Sequence, residues 1–541
     1  MDKNCLLANH AVYQIYPLSF CDGNGDGIGD IPGIISKLDY LEYIGIKIIW
    51  ISPLYDSPMK DNGYDVADYY SINPRFGTME DFDRLMEEAT KRGMKIVMDL
   101  VVNHTSDQCR WFQEALKDPA SPYRDYYIFK KGKAPGKKPN NWQSFFLGSA
   151  WESVPGEEDM YYLHLFSKQQ PDLNWHNPKV LEEVEKIIAF WMDKGVYGFR
   201  CDVISHIYKN SFEDGKARPI GTPRGVEHYT ATKGNHEILK RIRKDVIEPH
   251  HGVLIGECSE ATVENIQDFL HGDELDTFFS FEHVNYNAGA WSDKTADPKK
   301  LKTILKKWQE NVDCNGNYFE NHDQHRVIWK YIKKGYEDVG SKMMLTLLFA
   351  LRGTPFIYMG QEFGSRNYPE TLPIEECDDV VTHFIYDLAR KWHLPKKLAL
   401  AKANHNGRDH ERAPIAWNGK EGYGFTEPGV KPWMKFNPEG AKVNAEDAWN
   451  DPDSILNYFK KVNLYREQSD VLNYGSIRFL DAPSDVMRFV REYEGQKLEV
   501  CINLSHKMRD VKEDNGTLEI TNYPNDHVGL LRPYEAKIRK I

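Results

Sequence analysis

The stretch KIVMDLVVNH (95–104) carries apolar residues on both of its alternating faces and ends in polar ones. A strand buried on both faces has this pattern, whereas a strand with one solvated face alternates apolar and polar residues. The stretch therefore predicts a buried strand over 95–102. It also places Asp99 and His104 near the carboxyl end of that strand.

Seven further runs rich in Ile, Val, Phe and Tyr share this pattern, and helical stretches lie between them. The helix signals include Thr78 with Asp81, which resemble a capping box, and Pro178, which opens a helix that stops before Gly195. Eight strands alternating with helices predict an α/β fold, a (β/α)8 TIM barrel. The other seven predicted strands are 12–16, 46–52, 198–203, 252–256, 275–281, 317–321 and 355–358.

Three segments depart from this alternation. Residues 104–172 are a long insertion after the third strand, which we predict to be an inserted domain. Residues 364–452 form a second insertion, after the eighth strand. Residues 472–541 show short runs separated by turns, which predict a C-terminal antiparallel β domain. The catalytic barrel then comprises 1–103 and 173–471.

Composition excludes several kinds of partner. The 69 basic and 81 acidic residues give a net charge of −12, which argues against nucleic acid and anionic membranes. The longest apolar run, 343–351, is too short to cross a bilayer. The eight cysteines form no Cys-x-x-Cys pair, and the N-terminal residues show no secretion signal. We expect a cytoplasmic protein without a membrane or nucleic-acid partner.

Acidic residues follow several predicted strands, where a barrel enzyme carries its catalytic groups. Asp202 lies near the end of the fourth strand, Glu257 follows the fifth, and Asp323 follows the seventh. Three converging carboxyl groups suit retaining glycoside hydrolysis, which needs a nucleophile, a proton donor and stabilisation of positive charge. Arg200 lies two residues before Asp202 and faces the same side, so we expect it to keep Asp202 ionised.

Four of these stretches together resemble the signature regions of glycoside hydrolase family 13, the α-amylase family. They are DLVVNH (99–104), GFRCDVISH (198–206), GE (256–257) and ENHD (320–323). QPDLNW (170–175) is similar to a mark of the oligo-1,6-glucosidase subfamily. NGYD (62–65) and GTPFIY (353–358) also match that subfamily.

The resemblance implies a role for each matching residue. Asp202 corresponds to the nucleophile, Glu257 to the general acid/base and Asp323 to the transition-state stabiliser. An Asp65–Arg412 pair would close the pocket behind one glucose, which implies exo action on a small oligosaccharide. The other implied substrate-binding residues are Tyr64, His104, Phe166, Gln170, Arg200 and His322.

The residue after the nucleophile tracks the cleaved linkage in this subfamily, and here it is Val203, which goes with α-1,6 bonds. The resemblance thus implies a retaining exo-α-glucosidase acting on isomaltose and isomalto-oligosaccharides through a covalent glucosyl-enzyme, as a monomer without an organic cofactor.

An α-1,4-glucosidase and a trehalose-6-phosphate hydrolase are alternatives on the same scaffold. The hydrolase would need a cationic phosphate site, and we interpret the lysines of 130–138 as an exposed loop. A non-catalytic transporter partner would lack the catalytic carboxylates, and a sucrose isomerase would carry Arg-Leu-Asp-Arg-Asp where this chain reads QHRVIWKY (324–331).

Four aromatic residues of the first insertion allow two interpretations. Trp142, Phe145, Phe146 and Trp151 would either form a wall over the second sugar or pack as the core of the inserted domain. The sequence leaves both open.

The loop DGNGDGIGD (22–30) resembles the start of a calcium loop. An EF-hand would need Glu at its twelfth position, where this chain has Gly33, and a dinucleotide fingerprint would need a different glycine spacing. Oxygens still alternate along the loop, with glycines that let the chain wrap a hard cation. The oligo-1,6-glucosidase subfamily binds calcium in a similar loop, which implies a structural Ca²⁺ held by Asp22, Asn24, Asp26, the Ile28 carbonyl and Asp30.

Overall fold

Eight parallel strands curve into a nearly closed barrel in the computed structural model, which describes residues 6–146, 148–218, 223–270, 273–286 and 296–541. Seven of the eight neighbouring pairs are hydrogen-bonded ladders. In the remaining pair, a parallel bridge from Phe278 to Asn315 links the sixth strand to the start of the seventh. The strands are β1 (Val12–Ile15), β2 (Ile48–Ile51), β3 (Lys95–Leu100), β4 (Gly198–Cys201), β5 (Val253–Glu257), β6 (Thr277–Phe279), β7 (Gly316–Asn317) and β8 (Thr354–Tyr358).

This architecture confirms the predicted barrel. All residues of β1, β2, β4 and β5 are buried, as expected for strands covered on both faces. The ends differ from prediction, most clearly for β7, which is Gly316–Asn317 where a strand over 317–321 was predicted. Tyr318 and Phe319 are buried beyond the ladder, so their apolar character reflects packing and not strand pairing.

Helices cover the outside of the barrel, and the structure confirms the predicted capping box. The Thr78 side chain accepts a hydrogen bond from the Asp81 amide, and the Asp81 carboxylate accepts one from the Thr78 amide. The larger helices around the strands are Ile31–Ser36, Leu38–Tyr43, Met79–Lys91, Pro178–Asp193, Lys233–Ile242, Pro298–Asn311, Glu337–Ala350 and Ile455–Glu467.

The first insertion leaves the barrel after β3 and contains its own small sheet. Its helix is Arg110–Lys117, and Met160–Leu163 pairs antiparallel with both Phe129–Lys131 and Trp151–Ser153. An antiparallel bridge joins His104 to Asp172 at its base. The two ends of the insertion are therefore held together where it meets the barrel.

The chain beyond β8 adds a helical segment and a second sheet. Helices Val380–Lys391, Lys396–Asn406 and Ala445–Asn450 lie between β8 and the last barrel helix. Five strands then form an antiparallel sheet in the order β9–β10–β11–β13–β12, which confirms the predicted C-terminal β domain. They are β9 (Ser476–Phe479), β10 (Val486–Tyr493), β11 (Gln496–Asn503), β12 (Thr517–Thr521) and β13 (Ala536–Lys540).

Across the part of the chain that the structure covers, no helix is both long enough and apolar enough to span a membrane.

Candidate active site

The carboxyl ends of β3, β4 and β5 bring four charged groups together. Asp99 on β3 lies opposite Arg200 on β4 in the ladder, Asp202 follows β4 directly, and Glu257 ends β5. The Asp202 amide donates to the Leu100 carbonyl, which continues the pairing one residue beyond the strand. Adjacent parallel strands therefore fix these side chains on one rim of the barrel.

Arg200 contacts all three carboxyl groups. Its Nη1 lies 2.6 Å from Asp99 Oδ1 and 2.8 Å from Asp202 Oδ1, and its Nη2 lies 2.5 Å from Glu257 Oε2. All four side chains are buried. The planar guanidinium thus sets the relative positions of the predicted nucleophile and the predicted acid/base.

The electrostatics of this cluster differ in one respect from the expectation. Burial raises the pKa of Asp202 above its ordinary range, Arg200 opposes the rise, and Glu257 and Asp99 increase it, Glu257 also through a direct hydrogen bond. Arg200 alone therefore does not keep Asp202 ionised, because it is one cation among three carboxyl groups. Neighbouring carboxyl groups therefore favour the protonated form of Asp202 in the free protein, and Arg200 favours its ionised form.

Val203 adopts the left-handed backbone region, with φ 38° and ψ 37°. This conformation is unfavourable for a β-branched residue and is concentrated at functional sites. It points the Val203 amide at Glu257 Oε2, 3.1 Å away. The residue after the predicted nucleophile is thus connected to the predicted acid/base through its backbone.

Asp323 lies beside two arginines and an imidazole on the opposite side of the pocket. Arg408 Nη1 is 3.0 Å and Arg412 Nη2 is 2.8 Å from its Oδ1, and His322 Nε2 is 3.2 Å from its Oδ2. Burial would raise the pKa of Asp323, but His322 and the two guanidinium groups hold it well below its usual range. Asp323 is therefore ionised at neutral pH.

His322 is neutral, and its proton position is set by β1. Burial lowers the pKa of His322 to about 3. Gln14 Nε2, which can only donate, lies 2.7 Å from His322 Nδ1, so the imidazole proton is on Nε2. That nitrogen lies 2.8 Å from the hydroxyl of Tyr64, and the two rings stack with centroids 5.3 Å apart. Gln14 was not identified from the sequence.

The remaining predicted residues line the same pocket. His104 Nε2 lies 3.0 Å from the Tyr64 carbonyl and 3.1 Å from Gln170 Nε2. Burial lowers the pKa of His104, so this imidazole is neutral too. The Phe166 ring packs 5.2 Å from His104. The first insertion thus contributes Gln170 and Phe166 to a pocket whose other walls come from the barrel.

The predicted Asp65–Arg412 pair is wrong. Asp65 accepts hydrogen bonds from Ser57 Oγ and from the amides of Lys60 and Asp61, whereas Arg412 bonds to Asp323 and to the His322 carbonyl. Asp65 and Arg412 each stand four residues after the residues that do meet, Asp61 and Arg408, and which of them come together depends on loop conformation.

Asp61 and Arg408 form the pair that the sequence analysis missed. Arg408 Nη2 lies 3.1 Å from Asp61 Oδ1 and 2.7 Å from Asp379 Oδ1. Gln170 Nε2 donates to the second Asp61 oxygen at 3.1 Å. Their positions in the sequence could have indicated this pair, because Asp61 directly precedes NGYD and Arg408 stands four residues before Arg412.

Two of the four aromatic residues left open above are core residues. Trp142 and Trp151 are each 1 % exposed and pack within the inserted domain. Phe145 and Phe146 are half-buried, and both contact Phe166.

The loop 22–30 is tied to the segment that follows β8. Asp22 Oδ2 accepts from the Gly27 amide and from Thr426 Oγ1, and the Trp433 amide donates to the Gly27 carbonyl. Asp30 Oδ1 accepts from two amides, while its Oδ2 is buried without a partner. Hard oxygen donors and one unsatisfied carboxylate oxygen suit a hard cation. The carboxylates of the loop do not converge here, since the described residues contain no group of three His, Cys, Asp or Glu arranged to hold a metal.

Comparisons with known proteins agree with this geometry. Residues 14–475 match the family model described as Alpha amylase, catalytic domain. An oligo-1,6-glucosidase of Heyndrickxia coagulans is 43% identical over 97% of this chain and 98% of its own. A trehalose-6-phosphate hydrolase of Bacillus subtilis (strain 168) is 40% identical over 91% of this chain and 88% of its own.

Solved structures show the same fold over the whole length. A trehalose-6-phosphate hydrolase of Bacillus licheniformis superposes with a TM-score of 0.92 at 36% identity, covering 99% of this chain and 100% of the other. A trehalulose synthase of Pseudomonas mesoacidophila MX-45 superposes with a TM-score of 0.93 at 33% identity, covering 100% of both chains. With the carboxyl groups on the barrel rim and this agreement over nearly the full chain, the predicted resemblance is confirmed: the protein belongs to the α-amylase family of glycoside hydrolases, family 13.

Proposed function

We propose that this protein is a retaining, exo-acting α-glucosidase that cleaves α-1,6 bonds at the non-reducing end of isomaltose and isomalto-oligosaccharides. The observation that carries the mechanism is the position of Asp202 and Glu257 on one guanidinium, with Arg200 Nη1 2.8 Å from Asp202 Oδ1 and Arg200 Nη2 2.5 Å from Glu257 Oε2. Two carboxyl groups held by the two ends of one guanidinium lie close together, as a retaining enzyme needs, whereas an inverting enzyme needs room for a water molecule between them and the sugar.

Asp202 attacks the anomeric carbon while Glu257 gives its proton to the departing glycosidic oxygen. A covalent glucosyl ester of Asp202 results, and Glu257 then takes a proton from the water that releases glucose. The attack uses the ionised form of Asp202, which its contact with Arg200 favours. Asp323, kept ionised by Arg408 and Arg412, stabilises the positive charge that develops on the ring.

Exo action is supported by the closed end of the pocket. The Asp61–Arg408 pair and Gln170 lie there, joined by hydrogen bonds of about the same length. Charged donors and acceptors of this kind bind the hydroxyl groups of a terminal glucose and leave no path for a longer chain.

The preference for α-1,6 bonds is supported by Val203 and by the named relatives. Hydrolysis of trehalose 6-phosphate is the competing function, because relatives with that name are also similar over most of the chain. A phosphate needs cations that are not already paired, and the cations considered for this role have acidic partners. Arg218 already pairs with Glu227 at 3.4 Å, and the half-buried Glu260 lies close enough to interact with Arg218. In the lysine-rich loop 130–138, Lys133 is likewise paired with an acidic residue, Asp214.

A substrate panel tests the linkage. Purified protein should release glucose from isomaltose with a kcat/KM well above the values for maltose and trehalose 6-phosphate. Val203→Thr keeps the β-branch and adds a hydroxyl, and we expect it to shift the isomaltose-to-maltose ratio about tenfold towards maltose. A strong maltose preference of the unmodified protein would reject the α-1,6 assignment. Activity on trehalose 6-phosphate alone would establish the competing function.

The roles of the two carboxyl groups are separable by leaving group. Glu257→Gln removes the proton donor, so isomaltose turnover should fall about 10²–10⁴-fold. An aryl glucoside with an acidic phenol needs little protonation, and its cleavage step should lose much less. Asp202→Asn removes the nucleophile and should abolish turnover of both substrates while circular dichroism stays unchanged. Equal losses for both substrates in Glu257→Gln would contradict its role as the acid.

We also propose that the loop 22–30 binds a structural Ca²⁺ through Asp22, Asn24, Asp26, the Ile28 carbonyl and Asp30. The support is its oxygen-only donor set and the unsatisfied Asp30 Oδ2. Binding requires the Asp22 and Asp26 side chains to turn from the loop amides that they now accept from. The ion would stiffen a loop after β1 and take no part in the chemistry.

A monomer in the cytoplasm is proposed for the whole protein. The seven described cysteines are free, which suits a reducing compartment. Light scattering on the purified protein checks the mass, and a dimer would contradict the proposal.

A further inference from the structure

His325 connects two parts of the chain that meet beside Asp323. It lies on the loop after β7, two residues beyond Asp323. Its Nδ1 is 3.1 Å from Glu411 Oε2, and its Nε2 is 2.8 Å from the carbonyl oxygen of His405. The side chain of His325 is 15 % exposed and that of Glu411 is 1 % exposed. One largely buried imidazole therefore contacts both ends of the segment 405–411.

Arg408 stands at the middle of that segment, three residues from each contact. Its guanidinium bonds to Asp323 and to Asp61. Arg412, the residue after the segment, bonds to Asp323 as well. His325 thus joins the loop that carries the carboxylate to the segment that carries its arginines. A shift of about 1 Å at such groups can lower a rate about 10²-fold, so contacts that fix their backbone matter for catalysis.

Both partners of the imidazole are hydrogen-bond acceptors. A main-chain carbonyl and a carboxylate have no proton to donate, so both ring nitrogens donate only when the ring is an imidazolium. The His405 carbonyl belongs to the last turn of helix Lys396–Asn406, where the helix dipole favours a cation. The Asn367 amide nitrogen is a more distant neighbour of Nδ1, at 3.4 Å. The geometry therefore favours the charged form of His325.

The electrostatics agree with this geometry. Burial lowers the pKa of His325, but Glu411 and the His405 carbonyl outweigh burial and raise the pKa above its ordinary value, while Lys330 acts against them. Burial lowers the pKa of the neighbouring His410 to about 4, so that ring is uncharged near neutral pH. The other charged or titratable side chains around the ring are His405 on the helix, Arg326 with its partner Glu320 on the loop, and Arg408 and Arg412.

We propose that His325 is a positioning residue for the glucose pocket, whose imidazolium holds the segment 405–411 against the loop of Asp323. When the ring loses its proton, one of its two contacts is lost, and Arg408 and Arg412 are held less firmly. This inference rests on the proposed glucosidase function and adds a pH-dependent control of the same pocket. The charged ring is present below the pKa of His325 and is lost as pH rises through it, so the positioning weakens at high pH.

The test measures the pH dependence of activity in His325→Gln. Glutamine keeps one donor and carries no charge at any pH. With 4-nitrophenyl α-glucoside, kcat/KM of the unmodified protein should exceed that of His325→Gln about tenfold near pH 6 and only about twofold near pH 9. The ionisation of Glu257 is common to both proteins and cancels in this ratio. The aryl glucoside is used because its cleavage does not depend on the preferred sugar linkage.

Glu411→Gln tests the same pair from the other side. It keeps the size of the side chain and removes the charge that stabilises the imidazolium, so its loss of activity should show the same fall with pH. The double variant His325→Gln/Glu411→Gln should lose no more than about twofold beyond either single variant, because both changes remove one interaction. Where one single variant does not fold, the other decides.

His236→Gln is the matched control. His236 Nδ1 lies 2.9 Å from Oε2 of the fully buried Glu274, and the histidine side chain is 17 % exposed, so this too is a histidine paired with a buried glutamate. The pair joins helix Lys233–Ile242 to the segment before β6, at the amino-terminal end of that strand. The ratio for His236→Gln should stay constant with pH.

A ratio for His325→Gln that is constant with pH would overturn the proposal, because a merely structural contact lowers activity equally at every pH. If the unmodified protein cleaves no α-glucoside, the proposed function fails separately. Calorimetry with glucose then decides the role of His325. The Kd of His325→Gln should exceed that of the unmodified protein near pH 6 and approach it near pH 9, and a constant ratio of the two Kd values would reject the positioning role.

Discussion

Arg408 shows how one side chain organises the closed end of the pocket. It bonds to Asp61, Asp323 and Asp379, so it joins the proposed end of the glucose pocket to the carboxylate that we propose as the transition-state stabiliser. Its guanidinium is more than four-fifths buried, where charge-assisted hydrogen bonds are little screened by solvent. We therefore expect Asp61, and not Asp65, to take part in glucose recognition.

The first prediction compares these two aspartates. Asp61→Asn removes the charge opposite Arg408, so kcat/KM for isomaltose should fall about 10–100-fold, mainly through a higher KM. Asp65→Asn changes a carboxylate that accepts bonds from Ser57 and from loop amides. It should lower the melting temperature and change kcat/KM by less than about threefold. The reverse ranking in steady-state kinetics would restore Asp65 to the pocket.

Glu362 carries a pH-dependent contribution to stability. Burial raises the pKa of Glu362 from 4.5 to about 7, and its Oε1 accepts from the hydroxyl groups of Tyr13 and Tyr40. Between pH 4.5 and 7 the unfolded carboxyl ionises while the folded one stays protonated. Folding stability is therefore lost as pH rises through this window, by about 3 kcal/mol in total.

The second prediction removes this titration. Glu362→Gln keeps an oxygen for both tyrosines, so the free energy of unfolding relative to the unmodified protein should rise from pH 4.5 to 7 and stay constant above. Urea denaturation at several pH values measures the difference. A difference that stays constant across the window would mean that Glu362 is not protonated in the folded protein.

At the scale of elements, the pocket is assembled by loops and held by contacts between insertions. Lys209, after β4, is fully buried and pairs with Asp172 at 2.6 Å and with Asn103 Oδ1 at 2.7 Å. These two contacts of Lys209 join the ends of the first insertion to the loop after the predicted nucleophile. The loop 22–30 similarly connects β1 to the segment that follows β8, through Thr426 and Trp433.

The third prediction concerns that loop. If it holds Ca²⁺, a chelator should lower the melting temperature by several degrees and leave kcat unchanged, because a ligand at a hundredfold excess over its Kd contributes about 3 kcal/mol. Asp26→Asn should reduce the response to added Ca²⁺. A chelator that removes activity at an unchanged melting temperature would place the ion in the chemistry instead.

At the scale of the whole molecule, two buried arginines meet at the end of one barrel helix, and one of them, Arg491, joins the C-terminal sheet to it. Arg466 donates to the carbonyls of Phe349, Leu351 and Gly353, and Arg491 on β10 donates to those of Ala350 and Leu472. These carbonyls include the free ones at the end of helix Glu337–Ala350, where the helix dipole is negative. Burial lowers the pKa of Arg466 to about 9. Backbone carbonyl groups, and not carboxylates, are therefore the groups that stabilise the positive charges of these two arginines.

The fourth prediction removes one of these contacts. Arg491→Met leaves several carbonyls unpaired between barrel and sheet, and the free energy of unfolding should fall by at least about 3 kcal/mol. Arg478→Met, at an exposed position on β9 of the same sheet, should change it by less than about 0.5 kcal/mol. Chemical denaturation followed by tryptophan fluorescence measures both. Equal effects would show that the buried arginine does not hold the sheet.

The sequence by itself determined the barrel, the order of its strands and the acids at the ends of β4 and β5, whereas Asp323 lies on the loop beyond β7. Strands such as β2 are apolar on both faces, and only burial between helices satisfies that pattern, so local composition was sufficient. The positions of Asp202 and Glu257 were predictable because the end of a parallel strand is a fixed place in a barrel.

Only the tertiary structure decided which side chains meet across the pocket. Asp61 and Arg408 are 347 residues apart and lie on loops whose conformations no periodicity describes, so sequence reasoning paired Asp65 with Arg412 instead. Gln14, which fixes the imidazole proton of His322, had no signal in the sequence for the same reason. Contacts within a strand follow from its period, whereas contacts between loops depend on the packing of the whole chain.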